Sequence, residues 1–309
     1  MWTAEAIPDL SGKTVIITGA NGGIGWEAAL QFARKHAHTI LACRAIDRGR
    51  AATQRILAST PGASVEAMQL DLASLVSIRA FADKFCQRGQ ALDLLCNNAG
   101  VTGIPYQSTA DGFEMQFGTN HLGHFALTGL LLAPLLAADG ARVVTVSSAS
   151  HWLSGPIRFD DINWKRERYR KWIAYAQSKR ANLLFAFELQ RRAELNGAKL
   201  MSVGTHPGLT ATNLLLSAAR LNGSATQESL MRLTNRLFAQ SAAMGALTTL
   251  YAATAPEIRG GDFVGPQWLM WGYPYRARCS AAVRDQSAAV RLWELSEHLT
   301  GVGYCFLAK

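Results

Sequence analysis

The sequence has few cysteines, and none of them is spaced like a metal ligand. The 309-residue chain contains five, which is an odd number. Cys43 and Cys96 fall at or near the ends of apolar runs, where a reduced cysteine behaves as a small hydrophobe. This pattern predicts a protein without a metal site that works in a reducing, cytoplasmic setting.

Long hydrophobic runs, repeats and low-complexity segments are also missing. The longest apolar stretch, Phe125–Ala138, is too short to span a bilayer and contains Pro134. The first ten residues, MWTAEAIPDL, have neither a basic region nor an apolar core, so we expect no signal peptide. With 49% hydrophobic residues, the chain can bury one large core. We therefore predict a single domain over residues 1–309.

Acidic residues are in deficit, since 31 Lys and Arg stand against 22 Asp and Glu, a net charge of +9. The densest basic cluster is Lys165–Lys171. No nucleic-acid motif accompanies it, and aromatic residues are not regularly interleaved. The pattern favours a solvated surface, then contact with an anionic membrane surface or an acidic substrate group, and nucleic acid last. We predict no nucleic-acid partner and leave a peripheral membrane contact open.

Short apolar runs alternate along the chain with segments long enough for helices. Such alternation predicts an α/β fold of the Rossmann type, a doubly wound parallel sheet with helices on both faces. The predicted strands are Thr14–Thr18, Thr39–Ala42, Val65–Leu70, Leu92–Cys96, Arg142–Val146 and Lys199–Gly204.

A glycine-rich turn, TGANGGIG (Thr18–Gly25), joins the first predicted strand to a predicted helix, Trp26–Lys35. Glycine lets the backbone turn tightly and lets a pyrophosphate approach without a Cβ in the way. The amide groups at the start of the helix then point at the anion. The spacing is Gly-x-x-x-Gly-x-Gly, which differs from the Gly-x-Gly-x-x-Gly of ordinary dinucleotide-binding folds.

Tyr175 is the only one of the seven tyrosines that has a lysine, Lys179, four residues later. Residues four apart share one face of a helix, and a nearby cation lowers the pKa of a phenol. Such a tyrosine can act as a general acid or base near neutral pH. The strand-like run VVTVSS (Val143–Ser148) lies upstream and ends in two serines. Strand alternation places Ser147 and Ser148 on opposite faces, so only one can reach the site.

In combination these motifs resemble the short-chain dehydrogenase/reductase family from about Gly12 to Thr212. ACR (Ala42–Arg44), SSASH (Ser147–His151) and YAQSKRANLLF (Tyr175–Phe185) are similar to the retinol dehydrogenase and protochlorophyllide reductase branch. The resemblance implies a catalytic set of Asn120, Ser148, Tyr175 and Lys179. It also implies nicotinamide-cofactor contacts at Gly19, Asn21, Gly22, Gly23, Ile24, Gly25, Arg44, Asp71, Leu72, Asn98, Ala99, Gly100, Tyr175, Lys179, Pro207, Gly208 and Thr212.

The resemblance implies that hydride passes from the cofactor to a carbonyl carbon while Tyr175 donates a proton to its oxygen. Ser148, the second serine of its pair, holds that oxygen, and Lys179 lowers the pKa of Tyr175 and binds the nicotinamide ribose. Asn120 holds a water that links Lys179 to solvent. Two alternatives stay open. One is a light-dependent reductase, although its relatives carry a cysteine where this chain has Leu209; the other is a non-catalytic cofactor-binding regulator.

Arg44 indicates which cofactor is used. NAD-dependent enzymes place an acid near the end of the second strand, where it binds the ribose hydroxyls. Here that stretch is Ala42–Arg44, and no acid occurs before Asp47. Arginine matches a phosphate, so the sequence predicts NADP(H), bound by Arg44 with or without Arg48.

Tyr175 follows Ser148 by 27 residues, about twice the usual family spacing. The intervening segment, 151–172, contains Trp152, Trp164 and Trp172, and a leucine-rich stretch, 213–240, follows the nicotinamide loop. We predict that both segments form substrate-pocket walls for a small lipophilic substrate, although the leucines could equally be core. The resemblance also allows a homodimer or tetramer, formed through the helices that carry Asn120 and the Tyr175–Lys179 pair.

Overall fold

One sheet carries the loops in which the predicted site residues lie. The computed structural model describes residues 1–210 and 239–306. In these ranges eight strands form a sheet in the order β3-β2-β1-β4-β5-β6-β7-β8, parallel except for the β7–β8 pair. The strands are β1 (Thr14–Thr18), β2 (His38–Cys43), β3 (Val65–Gln69), β4 (Leu94–Asn97), β5 (Ala141–Val146), β6 (Leu200–Thr205), β7 (Phe263–Pro266) and β8 (Pro274–Arg276).

Helices pack on both faces of the sheet. In chain order they are α1 (Gly23–Arg34), α2 (Ile46–Ser59), α3 (Leu75–Cys86), α4 (Met115–Phe117), α5 (Gly123–Leu130), α6 (Leu132–Ala137), α7 (Lys171–Leu195), α8 (Ala242–Thr254) and α9 (Gln286–Thr300). A π-helical turn, Gly118–Leu122, joins α4 to α5. Short 3-10 helices lie at Ala4–Ala6, Ala149–Leu153, Phe159–Asp161 and Ala281–Val283.

The central strand β1 shows how the two faces are built. Val15 and Ile17 point into the core formed with α1, α2 and α8, whereas Ile16 points into the core formed with α3, α5 and α7. A strand buried on both sides reads as a continuous apolar run, because alternate residues serve opposite cores. The predicted doubly wound α/β fold is confirmed.

Strand positions follow the sequence closely. The strand Thr14–Thr18 is found at its predicted bounds, and the other five predicted strands are found with ends shifted by one or two residues. The sheet order reverses direction between β1 and β4, and the loops after these strands therefore meet at one edge. Ligands of open α/β sheets bind at such a switch point.

The C-terminal helix α9 covers the face of α5 and α7 that was expected to meet a second subunit. Trp293 of α9 stacks on Phe185 of α7 at 5.9 Å and meets Phe125 of α5 edge-on at 5.1 Å. Tyr304 adds a second ring, 4.4 Å from Trp293, and donates a hydrogen bond to the Phe125 carbonyl. The patch formed by Phe125 and Phe185 is therefore covered within the chain itself.

Among the described residues, none of the helices combines the length and apolarity needed to cross a membrane.

Candidate active site

The glycine-rich turn after β1 is packed tightly against the turn after β4. Gly19 has φ +69°, and a Cβ there would lie 3.0 Å from the Cα and Cβ of Ala99. A Cβ on Gly25 would lie 2.6 Å from Asn98 Nδ2. Larger side chains at either glycine would push the two turns apart. These two glycines therefore fix the shape of the predicted cofactor turn.

Gly22 has a different role, because it faces open space. A Cβ built there would meet nothing within 4 Å. Gly22 is also the N-cap residue of α1, and it provides no side-chain cap for the first amides of the helix. Unpaired amides and the positive end of the helix dipole form an anion site. Asn21, Gly22, Gly23 and Ile24 are thus positioned to hold a pyrophosphate.

Thr18 connects the two turns. Its Oγ1 accepts hydrogen bonds from the backbone N–H groups of Asn98 and Ala99, each at 2.9 Å. Asn98 Nδ2 returns a hydrogen bond of 2.8 Å to the Thr18 carbonyl. Gly100 follows directly, and a Cβ there would lie 3.0 Å from Asn120 Oδ1 and 3.5 Å from Lys179 Nζ. The turn Asn97–Gly100 therefore joins the glycine-rich turn to the predicted catalytic residues.

Tyr175, on the second turn of α7, lies next to two hydroxyl groups. Its phenol is hydrogen-bonded to the side chains of Ser148 and Thr102. Ser147 is turned away from the phenol and donates to the Lys179 carbonyl at 2.7 Å. Of the two serines, Ser148 is the one in contact with Tyr175. Both serines contact α7, so strand alternation does not explain the difference; the strand ends at Val146, before either serine.

Lys179 lies one helical turn after Tyr175 and is buried. Its Nζ donates to the Val146 carbonyl at 3.0 Å and lies 5.9 Å from the centre of the Tyr175 ring. Burial lowers the pKa of the Lys179 ammonium to about 8. Burial also raises the pKa of Tyr175, although the hydrogen bonds from Ser148 and Thr102 oppose that effect.

The expectation that Lys179 lowers the pKa of Tyr175 is therefore wrong for the protein alone. The cost of burying a phenolate outweighs the hydrogen bonds with Ser148 and Thr102, and the phenol stays protonated at neutral pH. A protonated Tyr175 is ready to donate a proton, as carbonyl reduction requires.

Asn120 sits in the π-helical turn Gly118–Leu122, where Gly123 N–H donates to the Gly118 carbonyl. Its side chain accepts from Val101 N–H at 2.8 Å and donates to the Val101 carbonyl and to Ser178 Oγ, each at 2.9 Å. A π-helical turn within α-helical structure frequently marks a functional site. The predicted disturbance of the helix at Asn120 is present.

The adenosine side of the predicted site lies along β2 and β3. Asp71 is half-buried, and its carboxylate accepts a hydrogen bond from Ala73 N–H. Leu72 is buried. A Cβ added to Gly123 would lie 2.5 Å from the Leu72 carbonyl oxygen, so the segment Asp71–Leu72 packs directly on the start of α5. Arg44 follows β2 and is exposed, as is Arg48 at the start of α2.

Arg55 is a third guanidinium near the glycine-rich turn, and it was not predicted from the sequence. It donates to the Asn21 carbonyl at 3.2 Å and stacks on Trp26, with its Cζ 4.7 Å from the ring centre. Arg55 is spaced eleven residues from Arg44 with no motif between them. Only the packing of α2 beside α1 brings it to the cofactor turn.

The predicted nicotinamide loop begins after β6. Gly208 has φ +68°, and a Cβ there would lie 2.4 Å from the Met270 carbonyl. The Pro207 carbonyl accepts from Thr210 Oγ1 and Gln240 Nε2, at 2.8 and 2.7 Å. Thr212, the last predicted cofactor contact, lies outside the described residues.

The turn from Gln267 to Gly272 packs on this loop, with the Met270 carbonyl accepting from Leu209 N–H. It carries the exposed side chains of Trp268, Leu269 and Trp271. No function was predicted for residues 241–309. The run WLMW was the one signal there, since aromatic residues are seldom so exposed.

The segment 151–172 is fixed to the site by a buried polar network. Tyr169 donates to Glu114 Oε1 at 2.7 Å, and Gln116 Nε2 donates to the Tyr169 hydroxyl at 2.7 Å. Gln116 Oε1 accepts from Gly103 N–H at 2.7 Å. Burial raises the pKa of the Glu114 carboxyl. Through this network the segment holds the backbone of Gly103, the residue after Thr102.

The three tryptophans of this segment differ in position. Trp172 covers Gly103, where a Cβ would lie 2.7 Å from its ring, and meets the Tyr175 ring edge-on at 6.5 Å. Trp152 is exposed. Trp164 is buried against Arg158 and Tyr169, so it packs inside the segment instead of forming a pocket wall. Residues 213–238 of the second predicted wall lie outside the described residues.

Comparisons with known proteins identify the family of the chain. The family model described as short chain dehydrogenase matches residues 13–158. Over 293 residues the chain is 41% identical to Retinol dehydrogenase 13 of Homo sapiens, covering 95% of this chain and 86% of that protein. Retinol dehydrogenase 12 of Mus musculus is 40% identical over 295 residues, covering 95% and 88%. The crystal structure of an uncharacterized protein from Mycobacterium paratuberculosis has a TM-score of 0.82 and 42% identity, covering 98% of both chains.

Proposed function

Because the chain belongs to the short-chain dehydrogenase/reductase family, in the retinol dehydrogenase branch, we propose that it is an NADP-dependent oxidoreductase acting on a lipophilic substrate. Enzymes of this family interconvert a carbonyl and an alcohol. The observation that carries the proposal is the contact of the Tyr175 phenol with Ser148, beside the buried ammonium of Lys179.

Tyr175 acts as the proton donor in reduction. Its raised pKa keeps the phenol protonated until negative charge develops on the substrate oxygen. Ser148 donates a hydrogen bond to that oxygen and holds it against the phenol. Hydrogen-bond donors that are already in position stabilise the negative charge that develops in the transition state.

Lys179 resupplies the proton and holds the cofactor, and Asn120 positions the structure around it. The ammonium has three donor hydrogens, so it can bind the nicotinamide ribose while it donates to Val146. Its pKa of about 8 lets it exchange a proton near neutral pH. Asn120, bonded to Val101 and Ser178, keeps the backbone around Lys179 in place.

The residues around the two turns fit a nicotinamide dinucleotide. The backbone amides of Gly22, Gly23 and Ile24 at the start of α1 would bind the pyrophosphate, with Asn21 beside them in the same turn. Asp71 and Leu72 would contact the adenine. The amides of Asn98, Ala99 and Gly100 would line the middle of the cofactor, and Pro207 and Gly208 with Thr212 would border the nicotinamide. When bound, the cofactor supplies or accepts the hydride.

The charges near β2 support NADP over NAD. Arg44 and Arg48 are exposed at the end of the strand, and Arg55 bonds the Asn21 carbonyl. The nearest acid, Asp47, is exposed and paired with Arg50 at 3.4 Å. A guanidinium recognises a phosphate through a fork of hydrogen bonds. This distribution of charge favours the 2′-phosphate of NADP.

Exposed apolar side chains near Tyr175 and Gly208 support a lipophilic carbonyl or alcohol as the substrate. Trp172 lies against Tyr175 with 46% of its surface exposed, and the Gln267–Gly272 turn presents Trp268 and Leu269 beside Gly208. Two relatives at about 40% identity are named as retinol dehydrogenases. Retinol is an apolar alcohol, so an apolar pocket agrees with both observations.

The test is a screen for oxidation of NADPH and NADH with aldehydes, ketones and quinones of increasing length. Each buried methylene is worth about 0.8 kcal/mol, so kcat/KM should rise roughly fourfold per methylene until the pocket is full. Compact sugars should be poor substrates, because an apolar wall leaves their hydroxyls unpaired. A flat or falling series refutes the lipophilic pocket. Cofactor binding without turnover on any carbonyl favours a non-catalytic regulator.

A further inference from the structure

The proposed mechanism does not use His124. This residue lies between the glycine-rich cofactor turn (Thr18–Gly25) and the helical residues Asn120, Tyr175 and Lys179. It is the second residue of α5 and is buried, with 1% of its surface exposed. Its Nε2 lies 2.9 Å from Thr18 Oγ1, and its Nδ1 lies 2.9 Å from the Asn120 carbonyl. One imidazole thus joins the end of β1 to the π-helical turn.

The partners of His124 specify its tautomer. The Asn120 carbonyl can only accept a hydrogen bond, so Nδ1 carries the hydrogen. Thr18 Oγ1 already accepts from the N–H groups of Asn98 and Ala99 and so has no lone pair left. Its own hydrogen is therefore donated, and Nε2 at 2.9 Å is nearer than the Cys96 carbonyl at 3.4 Å. The imidazole is neutral, with Nδ1 as donor and Nε2 as acceptor.

This arrangement joins groups on both sides of the site. On the Thr18 side it holds the hydroxyl that binds the amides of the Asn97–Gly100 turn. On the other side it donates to the carbonyl of Asn120. The side chain of Asn120 bonds Val101 and Ser178, and Ser178 is next to Lys179 in sequence. We propose that His124 is a positioning residue that couples the cofactor turn to the Asn120–Tyr175–Lys179 group. The kcat and KM tests of this inference rest on the proposed function, whereas its tests by NADPH binding and NMR do not require turnover.

His121, three residues earlier in the chain, provides a matched control. It is also buried, with 1% of its surface exposed. Its Nε2 lies 2.9 Å from Ser296 Oγ of α9, and its ring packs against Phe117, Phe125 and Phe185. His121 faces the core and α9, whereas His124 faces the site. Replacing each histidine by Phe keeps a ring and removes its hydrogen bonds. Comparing the two variants therefore distinguishes a general loss of stability from a specific effect on the positions of the site residues.

The experiment compares His124→Phe and His121→Phe for NADPH affinity, kcat, KM and stability to urea. For His124→Phe we expect NADPH affinity and kcat to fall by about tenfold each, the scale of one lost buried hydrogen bond, with KM for the carbonyl changed less than about threefold. For His121→Phe we expect a loss of stability with both affinity and kcat within about twofold of the wild type. Equal effects of the two variants on affinity and kcat overturn the proposal.

Two further measurements do not require turnover. Nitrogen-15 NMR of labelled histidine, assigned with His124→Gln, should find Nδ1 protonated and Nε2 unprotonated in the wild type. The opposite tautomer, or a charged imidazole at pH 7, overturns the proposal even if the Phe variant fails to fold. In a double-mutant cycle, adding Thr18→Val to His124→Phe should weaken NADPH binding by less than the product of the two single effects. Absence of carbonyl turnover in the wild type refutes the proposed function and leaves these readouts intact.

Discussion

Lys179 Nζ lies 5.9 Å from the centre of the Tyr175 ring, and burial moves the pKa values of the two side chains toward their neutral forms. The pKa of the phenol is raised and the pKa of the ammonium is lowered, because both charged forms lose hydration in the site. At neutral pH the pair holds a protonated tyrosine and a mostly charged lysine. This state suits reduction, in which Tyr175 must give up a proton.

The first prediction concerns the pH dependence of reduction. Lys179 loses its charge as pH rises through about 8, while the phenol remains protonated. We expect kcat/KM for carbonyl reduction to be level below that pH and to fall by about tenfold per pH unit above it, as for one essential ionisation. Lys179→Arg keeps its charge at high pH, so its normalised profile should fall later. The same break point in both proteins would rule out Lys179 as the titrating group.

The second prediction is that Tyr175→Phe keeps cofactor binding and loses chemistry. The substitution retains the ring beside Trp172 and removes the hydroxyl that contacts Ser148 and Thr102. We expect turnover to fall by at least about 10²-fold, the low end for general acid catalysis, with NADPH binding retained. Tyr106→Phe is the control, since Tyr106 is exposed and packs on Tyr169. Turnover by Tyr175→Phe at the wild-type rate would exclude the proposed proton donor.

The third prediction concerns the choice of cofactor. Arg44→Asp replaces a phosphate-binding cation with an acid that can bind ribose hydroxyls. We expect the preference to shift toward NADH by roughly 10- to 100-fold, the range for a charged hydrogen bond. Arg34→Asp makes the same charge change in the last turn of α1, at the end away from the glycine-rich turn. It should leave the ratio of NADPH to NADH affinity unchanged. Equal wild-type affinity for NADPH and NADH would contradict the assignment of Arg44.

The sequence predicted those parts of the site that rest on local pattern. The glycine-rich turn and the Tyr175–Lys179 pair each lie within eight residues, and their geometry follows from one turn or one helix. His124 and Thr18 could not be paired in this way, because 106 residues separate them and only the packing of β1 and α5 joins them. Thr102 reaches Tyr175 for a similar reason. Its neighbours are held by Asn120 and Gln116, which are distant in sequence.

The same limit explains the expectations that failed. Only Ser148 contacts Tyr175, as expected, but strand alternation is not the reason, because the strand ends before both serines at Val146 and both meet α7. Trp164 was expected at the pocket, but a buried network that includes Tyr169 turns it into the segment's own core. In both cases a long-range contact decides the direction of the side chain, and no local pattern encodes it.

The fourth prediction is a loss of stability in mild acid. Burial lowers the pKa of His121 to about 3 and those of His124 and His206 to about 4, from 6.5. The unfolded chain therefore binds protons below pH 6.5 that the folded protein does not, so stability falls as pH decreases from 6.5 toward 4. Each residue contributes up to about 1.4 kcal/mol per pH unit in that window. Urea unfolding of His121→Gln at several pH values should show a shallower loss of stability than the wild type, and an equally steep loss in both proteins would contradict this prediction.

The fifth prediction is that Trp293 holds α7 in place from its outer side. The ring is 2% exposed, stacks on Phe185, and lies under the Arg192 guanidinium at 4.5 Å. Trp293→Ala leaves a cavity between α7 and α9, so we expect the free energy of unfolding to fall by about 3–5 kcal/mol. Trp152→Ala removes an equally large but half-exposed ring and should cost less than about 0.5 kcal/mol. Because α7 also carries Tyr175 and Lys179, the Trp293 variant should lose turnover at lower urea concentrations than the wild type. Equal unfolding midpoints for the two alanine variants would show that α9 does not stabilise the catalytic helix.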